Sequence, residues 1–227
     1  MRRRKFFCAC VLIICVGPVF THRSLAPARS RDAVQAVSPA KTPATTRYRL
    51  DPSQSKFIAH ALRGGLLWFK GHDHLVAARD FSGEAEITSE AINPASLLLV
   101  VKAESMAETN PVFTDQQKQI INKELRDIVL LPAQHPDISF KSTDVTGKAL
   151  GNNEYALQIG GDLTLLGTTR HIVIPTRVVL SGADLKAHGE FSISREDYKV
   201  KATSAAHGTV RVRDRVVFNF DIVGHQI

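Results

Sequence analysis

His72 and His74 stand two residues apart. On a strand such a pair projects from one face, with ring nitrogens close enough to share a metal ion, while Asp73 points away. His60 falls on the strand before them, and His225 or His171 could add a third ligand. Neutral imidazole suits zinc, copper or haem iron. A catalytic zinc site takes three protein ligands, and the spacing here supplies two. The same rings serve equally as hydrogen-bonded rim residues that fix a turn, or as donors to the headgroup or pyrophosphate of a lipid. These readings stay open at the level of sequence. His135, beside Pro136, and His188 and His207, beside glycines, read as solvated loop residues.

Other reactive groups are sparse. Asp162 with Glu190 or Glu84 offers a carboxylate pair, but no spacing brings them together, and strand-edge carboxylates facing water account for all three. The sequence has no Gly-x-Ser-x-Gly elbow, no phosphate loop ending in Lys-Ser/Thr and no His-Glu-x-x-His. No catalytic residue is expected, and the chain reads as a non-enzyme. The three cysteines are Cys8, Cys10 and Cys15. Everything beyond them is free of thiols, which excludes structural disulfides, cysteine nucleophiles and cysteine-ligated metals there.

That cysteine-bearing end has its own logic. A cationic cluster (Arg2, Arg3, Arg4, Lys5) precedes an apolar run over 6–20, and a small-x-small site follows at Ala26-Pro27-Ala28. Fifteen apolar residues fall short of the about 20 needed to span a bilayer as a helix. The pattern is that of a secretory signal peptide over 1–28, with an uncleaved membrane anchor as the alternative. Residues 29–46, with Pro39, Pro43 and small polar neighbours, read as a disordered linker. Export would deliver the remainder, 47–227, to the periplasm or the exterior, and a thiol-free domain suits an oxidising compartment.

The net charge of +7 comes from the same end. Eight of the 29 basic residues lie before residue 47 against one acid, so 47–227 holds 21 of each sign. Nucleic-acid binding calls for a concentrated basic face. The nearest candidate, the alternating Arg211, Arg213 and Arg215, reads as a solvated strand face. No nucleic-acid partner is expected.

Two-residue alternation dominates 47–227. Val216, Phe218, Phe220 and Ile222 face one way, and Val217, Asn219, Asp221 and Val223 the other. Leu157, Ile159, Leu163 and Leu165 keep step around Gly160-Gly161, a pair that marks a bulge or a close backbone approach. Phe191 and Ile193 alternate against polar neighbours. Such patterns make strands with one dry face. Turn signals separate them at Gly64-Gly65, Ser82-Gly83, Asn93-Pro94, Gly147, Gly151-Asn152-Asn153, Gly167 and Ser181-Gly182. About eight strands result, enough to close an all-β antiparallel barrel without exposed edges. One stretch differs. Thr114 and Gln117 form a capping box ahead of Ile121, Leu125 and Ile128, predicting one or two short helices around 113–131. Pro132 and Pro136 then precede a strand over 138–145. An eight-stranded barrel is either filled by its own side chains or holds one slender ligand.

Four segments then resemble one family in order. Gly160-Gly161-Asp162-Leu163-Thr164-Leu165-Leu166-Gly167-Thr168-Thr169 resembles the GDLTxxGxT signature of the YceI-like, polyisoprenoid-binding proteins. Tyr48-Arg49-Leu50-Asp51 with Ser55 resembles their opening strand, Asn93-Pro94-Ala95-Ser96 their second landmark, and the segment from His135 to Thr143 their PxIxF strand. Two stretches depart from the pattern: Leu66-Leu67-Trp68-Phe69-Lys70-Gly71-His72-Asp73-His74 replaces a glycine-serine loop, and Ile128-Val129-Leu130-Leu131-Pro132 replaces paired phenylalanines. The resemblance implies a lipocalin-like barrel, outside the cytoplasm, that binds a long isoprenoid without catalysis.

The resulting expectation is an exported carrier or sequestering protein holding a polyisoprenoid or other long apolar chain in the lumen. Its expected ligand-binding residues are Trp68, His72, His74, Phe81, Phe140, Leu163, Leu165, Phe191, Phe218 and Phe220. No cofactor is expected beyond a bound isoprenoid lipid. The alternative is a metal- or haem-binding periplasmic protein using His72 and His74, with His60. A homodimer fits the resemblance, without a readable interface. Membrane attachment would come only through an uncleaved amino-terminal segment.

Overall fold

The structure, a computed structural model, describes residues 44–65, 67–88, 92–201, 204–205 and 210–227. The expected signal peptide lies outside these residues, as does most of the expected linker. In chain order the strands are β1 Thr45–Leu50, β2 Lys56–Gly64, β3 His74–Ala77, β4 Phe81–Thr88, β5 Ile92–Lys102 and β6 Ala107–Glu108. Helix α1, Asp115–Glu124, and a π-helical turn, Leu125–Leu130, follow. Then come β7 Asp137–Gly151, β8 Glu154–Leu165, β9 Thr168–Ser181, β10 Asp184–Ser194, β11 Ser204–Ala205 and β12 Val210–Gln226. The first strand thus takes up the last two positions of the expected linker.

Eight of these strands close a ring in the order β1-β4-β5-β7-β8-β9-β10-β12, antiparallel throughout, as the alternation predicts. Closure rests on Tyr48, Arg49 and Leu50 pairing with Gln226, His225 and Gly224. The sequence pattern does not reveal a branch: the upper part of β12 pairs with β2 instead, and β3 and β6 extend from there. The short β11 also pairs with β12.

Tight turns explain the long hairpins. Asn152 and Asn153 both have positive φ, as do Leu166 and Gly167. Two consecutive positive φ values give the turn whose twist matches paired strands. Two other turn signals prove to be strand interiors. A Cβ on Gly83 would lie 2.6 Å from the Leu98 carbonyl, and one on Gly147 would lie 2.3 Å from that of Ala156. Glycine there permits close packing, not a turn. The bulge expected at Gly160-Gly161 sits across from them in β7, between Ser142 and Asp144. Gly161 instead makes room for the Phe140 ring, which a Cβ would meet at 2.6 Å.

The capping box forms as read: the Gln117 N–H donates to Thr114 Oγ1, and the Thr114 N–H donates to Gln117 Oε1. The helical face then shifts. Past Leu125 the chain winds as a π turn, closed by the Leu131 N–H donating to the Arg126 carbonyl. A π turn takes more residues per revolution than the 3.6 of an α-helix, so the inward face shifts along the sequence. Val129 and Leu130 therefore turn inward, and Ile128, expected on that face, is 42% exposed.

The barrel end near the closure is packed solid around Leu50, Ile87, Leu157, Leu185 and Ile222, apart from a void of about 90 Å³. There His225 fastens the corner between β1 and β2. Its Nδ1 lies 2.8 Å from Asp184 Oδ1, and its Nε2 lies 3.3 Å from Asp51 Oδ2. Hydrogen bonding to Asp184, and then to Asp51, raises the His225 pKa above its ordinary 6.5. A raised folded value means that this contribution to stability is fully present below pH 6.5 and fades as pH climbs through the folded pKa. An NMR titration of the His225 ring is expected to show a midpoint above 6.5, falling back toward it in Asp184→Asn; an unshifted midpoint in the unaltered protein would contradict the arrangement.

Candidate functional site: an apolar cavity with a charged mouth

The other half of the barrel is hollow. A cavity of about 720 Å³ lies between the strands and beneath α1. Phe57, Leu99, Phe140, Ile174 and Phe191 border both this cavity and the small void, so they form its floor. The floor is tied together by rings: Phe191 stacks on Phe218 at 4.9 Å between centroids, and Phe57 lies 5.9 Å from Phe218. Leu163 and Leu165 of β8 and Ile193 and Val216 of β10 and β12 make the walls. Ala59 and Ala61 of β2 line the cavity with methyl groups only, which leaves the lumen its width. Ile121 and Leu125, with Val129 and Leu130, roof it.

His74 and His72 line the cavity beside its roof, and both meet the Phe113 ring. His74 stacks on that ring at 5.2 Å, and His72 meets it edge-on at 5.6 Å. His74 Nδ1 lies 2.8 Å from Oε2 of Glu108, whose side chain is completely buried. The other carboxylate oxygen accepts from the backbone N–H groups of Asn110, at 2.7 Å, and Leu75, at 3.1 Å. Burial alone would push this carboxyl up; the His74 contact and the two backbone donors outweigh it and hold the pKa below the ordinary value. The Glu108 N–H in turn donates to Asn122 Oδ1 on α1. Glu108 thus links the roof helix through its backbone N–H, and the branch strands and the cavity histidine through its carboxylate.

The expected site residues divide accordingly. His72, His74, Phe140, Leu163, Leu165, Phe191 and Phe218 line the cavity. Phe220 borders only the small void. Phe81, 3% exposed, is core paired opposite Val101 of β5, and it does not reach the cavity. Trp68 begins a short 3-10 turn at the rim, and its side chain lies outside the described residues. The histidines are partnered separately: His60 with Asp73 at 3.7 Å, and His74 with Glu108. Among the described residues no three of His, Cys, Asp and Glu are placed to hold a metal ion. His188 is a strand residue of β10, not a loop residue, and His207 lies outside the described residues. Glu108, Ala59 and Ala61 were not singled out by sequence. The alternation Phe57, Ala59, Ala61 carried the signal for the alanines; a two-residue strand left none for Glu108.

Charge gathers at the mouth. Among the described residues Arg63, Lys70, Arg195, Lys201 and Arg211 line the cavity, against the single carboxylate of Glu124. Arg211, expected on a solvated face, is exposed and stands at the rim, paired opposite Gly64 at the end of β2.

The YceI-like domain profile matches residues 48–224. This chain belongs to the YceI-like family. Among solved structures it is similar to BcnA of Burkholderia cenocepacia, with a TM-score of 0.59 at 19% identity over 77% of this chain and 98% of that one. It is also similar to a polyisoprenoid binding domain from Saccharophagus degradans implicated in plant cell wall breakdown (0.55, 13% identity, 79% and 98% covered). The YCEI protein of Campylobacter jejuni follows at 0.51, 15% identity, with 67% and 84% covered. No match is found among curated proteins. In this YceI-like barrel both stretches that depart from the family pattern border the cavity. The first supplies Leu67, Lys70, Gly71, His72 and His74, and the second supplies Val129 and Leu130.

Proposed function

We propose that this YceI-like barrel is a non-catalytic lipid-binding protein, exported from the cytoplasm, that carries or sequesters a polyisoprenoid or other long apolar chain. The observation that carries the reading is the cavity of about 720 Å³, floored by phenylalanine rings and walled by aliphatic side chains. Its size lies in the range of small-molecule sites, about 300–1,000 Å³. Burial of each methylene contributes about 0.8 kcal/mol, so a chain of about ten gains enough to offset the cost of association with few polar contacts. The polyisoprenoid binding domain of Saccharophagus degradans shares the fold, which supports a prenyl chain as the guest. Export rests on the cationic cluster and apolar run at the amino terminus. No helix among the described residues is long and apolar enough to cross a membrane.

The test is mass spectrometry of lipids extracted from the purified full chain, paired with displacement of a fluorescent apolar probe by a prenyl alcohol. A long-chain amphiphile that co-purifies near equimolar amounts and a displaced probe are expected. Protein free of any amphiphile that also fails to bind the probe would sink the proposal.

A further inference from the structure

The residues from 47 to the end carry equal numbers of acidic and basic groups. The cavity mouth does not. Among the described residues five cations line it against Glu124 alone, and they come from separate parts of the chain: Arg63 from β2, Lys70 from the 3-10 turn, Arg195 and Lys201 from the stretch after β10, and Arg211 from β12. Some of this charge is answered locally. Arg63 Nε lies 3.9 Å from Asp73, and Arg195 donates to the Val200 carbonyl and to Glu196. The Glu108 carboxylate is occupied by His74 and two backbone donors. Lys70, Lys201 and Arg211 are exposed and form no ion pair with a described residue.

Arg195 adds charge to the same wall: its side chain lines the cavity and is only 15% exposed, with its Nε–H sealed from solvent and its head turned to the Val200 carbonyl and Glu196. Cations around an apolar well suit one shape of guest: a hydrocarbon tail below and a charged head above.

We infer that the guest carries an oxyanion head, a phosphate, diphosphate or carboxylate, held by Lys70, Lys201 and Arg211 while its chain extends to the phenylalanine floor. This inference rests on the lipid-binding reading above and narrows it to anionic amphiphiles. Neutral chains would bind through the well alone.

Matched pairs test it on the full chain: geranylgeranyl phosphate against geranylgeraniol, and palmitate against hexadecanol, each as a competitor of the same fluorescent probe at low salt. At least one oxyanion is expected to bind about tenfold more tightly than its alcohol, a preference that weakens as salt is added. The pair that shows it distinguishes phosphate from carboxylate. In the triple variant Lys70→Gln/Lys201→Gln/Arg211→Gln the ratio is expected to fall to within about twofold. Those three side chains are exposed, so the core stays intact. Equal binding of oxyanion and alcohol in both pairs would overturn the head assignment while leaving the cavity reading standing. A preference that survives the triple variant would overturn the assignment to this collar. Failure of all four compounds to bind would remove the cavity reading and this inference together.

Discussion

Glu108→Ala is expected to cost about 2–5 kcal/mol of folding stability, since each buried group left without its partner costs about 1–3 kcal/mol. The reason lies in what the truncation leaves behind. The Asn110 and Leu75 N–H groups would lose their acceptor, and His74 would face an apolar hole where it now meets a carboxylate at 2.8 Å. Glu108→Gln is expected to cost much less at neutral pH, because the amide oxygen still accepts from both backbone donors and its NH₂ can donate to His74 Nδ1. The two variants also differ with acid. The folded pKa of Glu108 is depressed below its ordinary 4.5, so the ionised group stabilises the protein above that pH and its contribution is lost as pH falls through the folded value. The gap between the unaltered protein and Glu108→Gln should therefore shrink below pH 4.5. Denaturant unfolding at several pH values measures both effects. A Glu108→Ala protein within about 1 kcal/mol of the parent would show that the buried carboxylate does not anchor the branch strands.

Ala61→Trp is expected to weaken binding of a long chain about a hundredfold while the barrel still folds. Ala61 lines the cavity with a single methyl group, on a strand paired with the Val216 region of β12. An indole placed there enters open space, so it avoids the overpacking that penalises enlarged core residues. It also occupies room the chain needs. Excluding about four methylenes removes about 3 kcal/mol, a loss of roughly a hundredfold in affinity. Ile128→Ala is the control, since that side chain is 42% exposed and outside the cavity lining. Probe binding and thermal unfolding of both variants separate a blocked lumen from a broken fold. Ala61→Trp binding with undiminished affinity would place the guest elsewhere.

The ring of strands was legible because burial on one face imposes a period of two that residues such as Val216, Phe218, Phe220 and Ile222 display openly. The roof helix was legible from Thr114 and Gln117, whose mutual hydrogen bonds need no tertiary partner. Other features depend on contacts between distant segments. Gly83 and Gly147 look like turn residues until their cross-strand neighbours are known. The inward shift of Val129 and Leu130 follows from a π turn that no local propensity announces. Phe81 and Phe140 look alike in sequence, yet one is sealed in the core and the other lines the hollow. The cationic mouth was hidden most completely. Its members lie in four separate stretches, and their charge vanishes in the balanced sum over 47–227.

Methyl NMR with a bound prenyl chain locates the guest inside or outside the barrel. With labelled leucine and isoleucine methyls, nuclear Overhauser contacts are expected from the chain to Leu163, Leu165, Ile174 and Ile193, which line the cavity, and none to Ile128 on the outside. Contacts confined to Ile128 and other exposed methyls, with the four interior residues silent, would contradict the cavity reading.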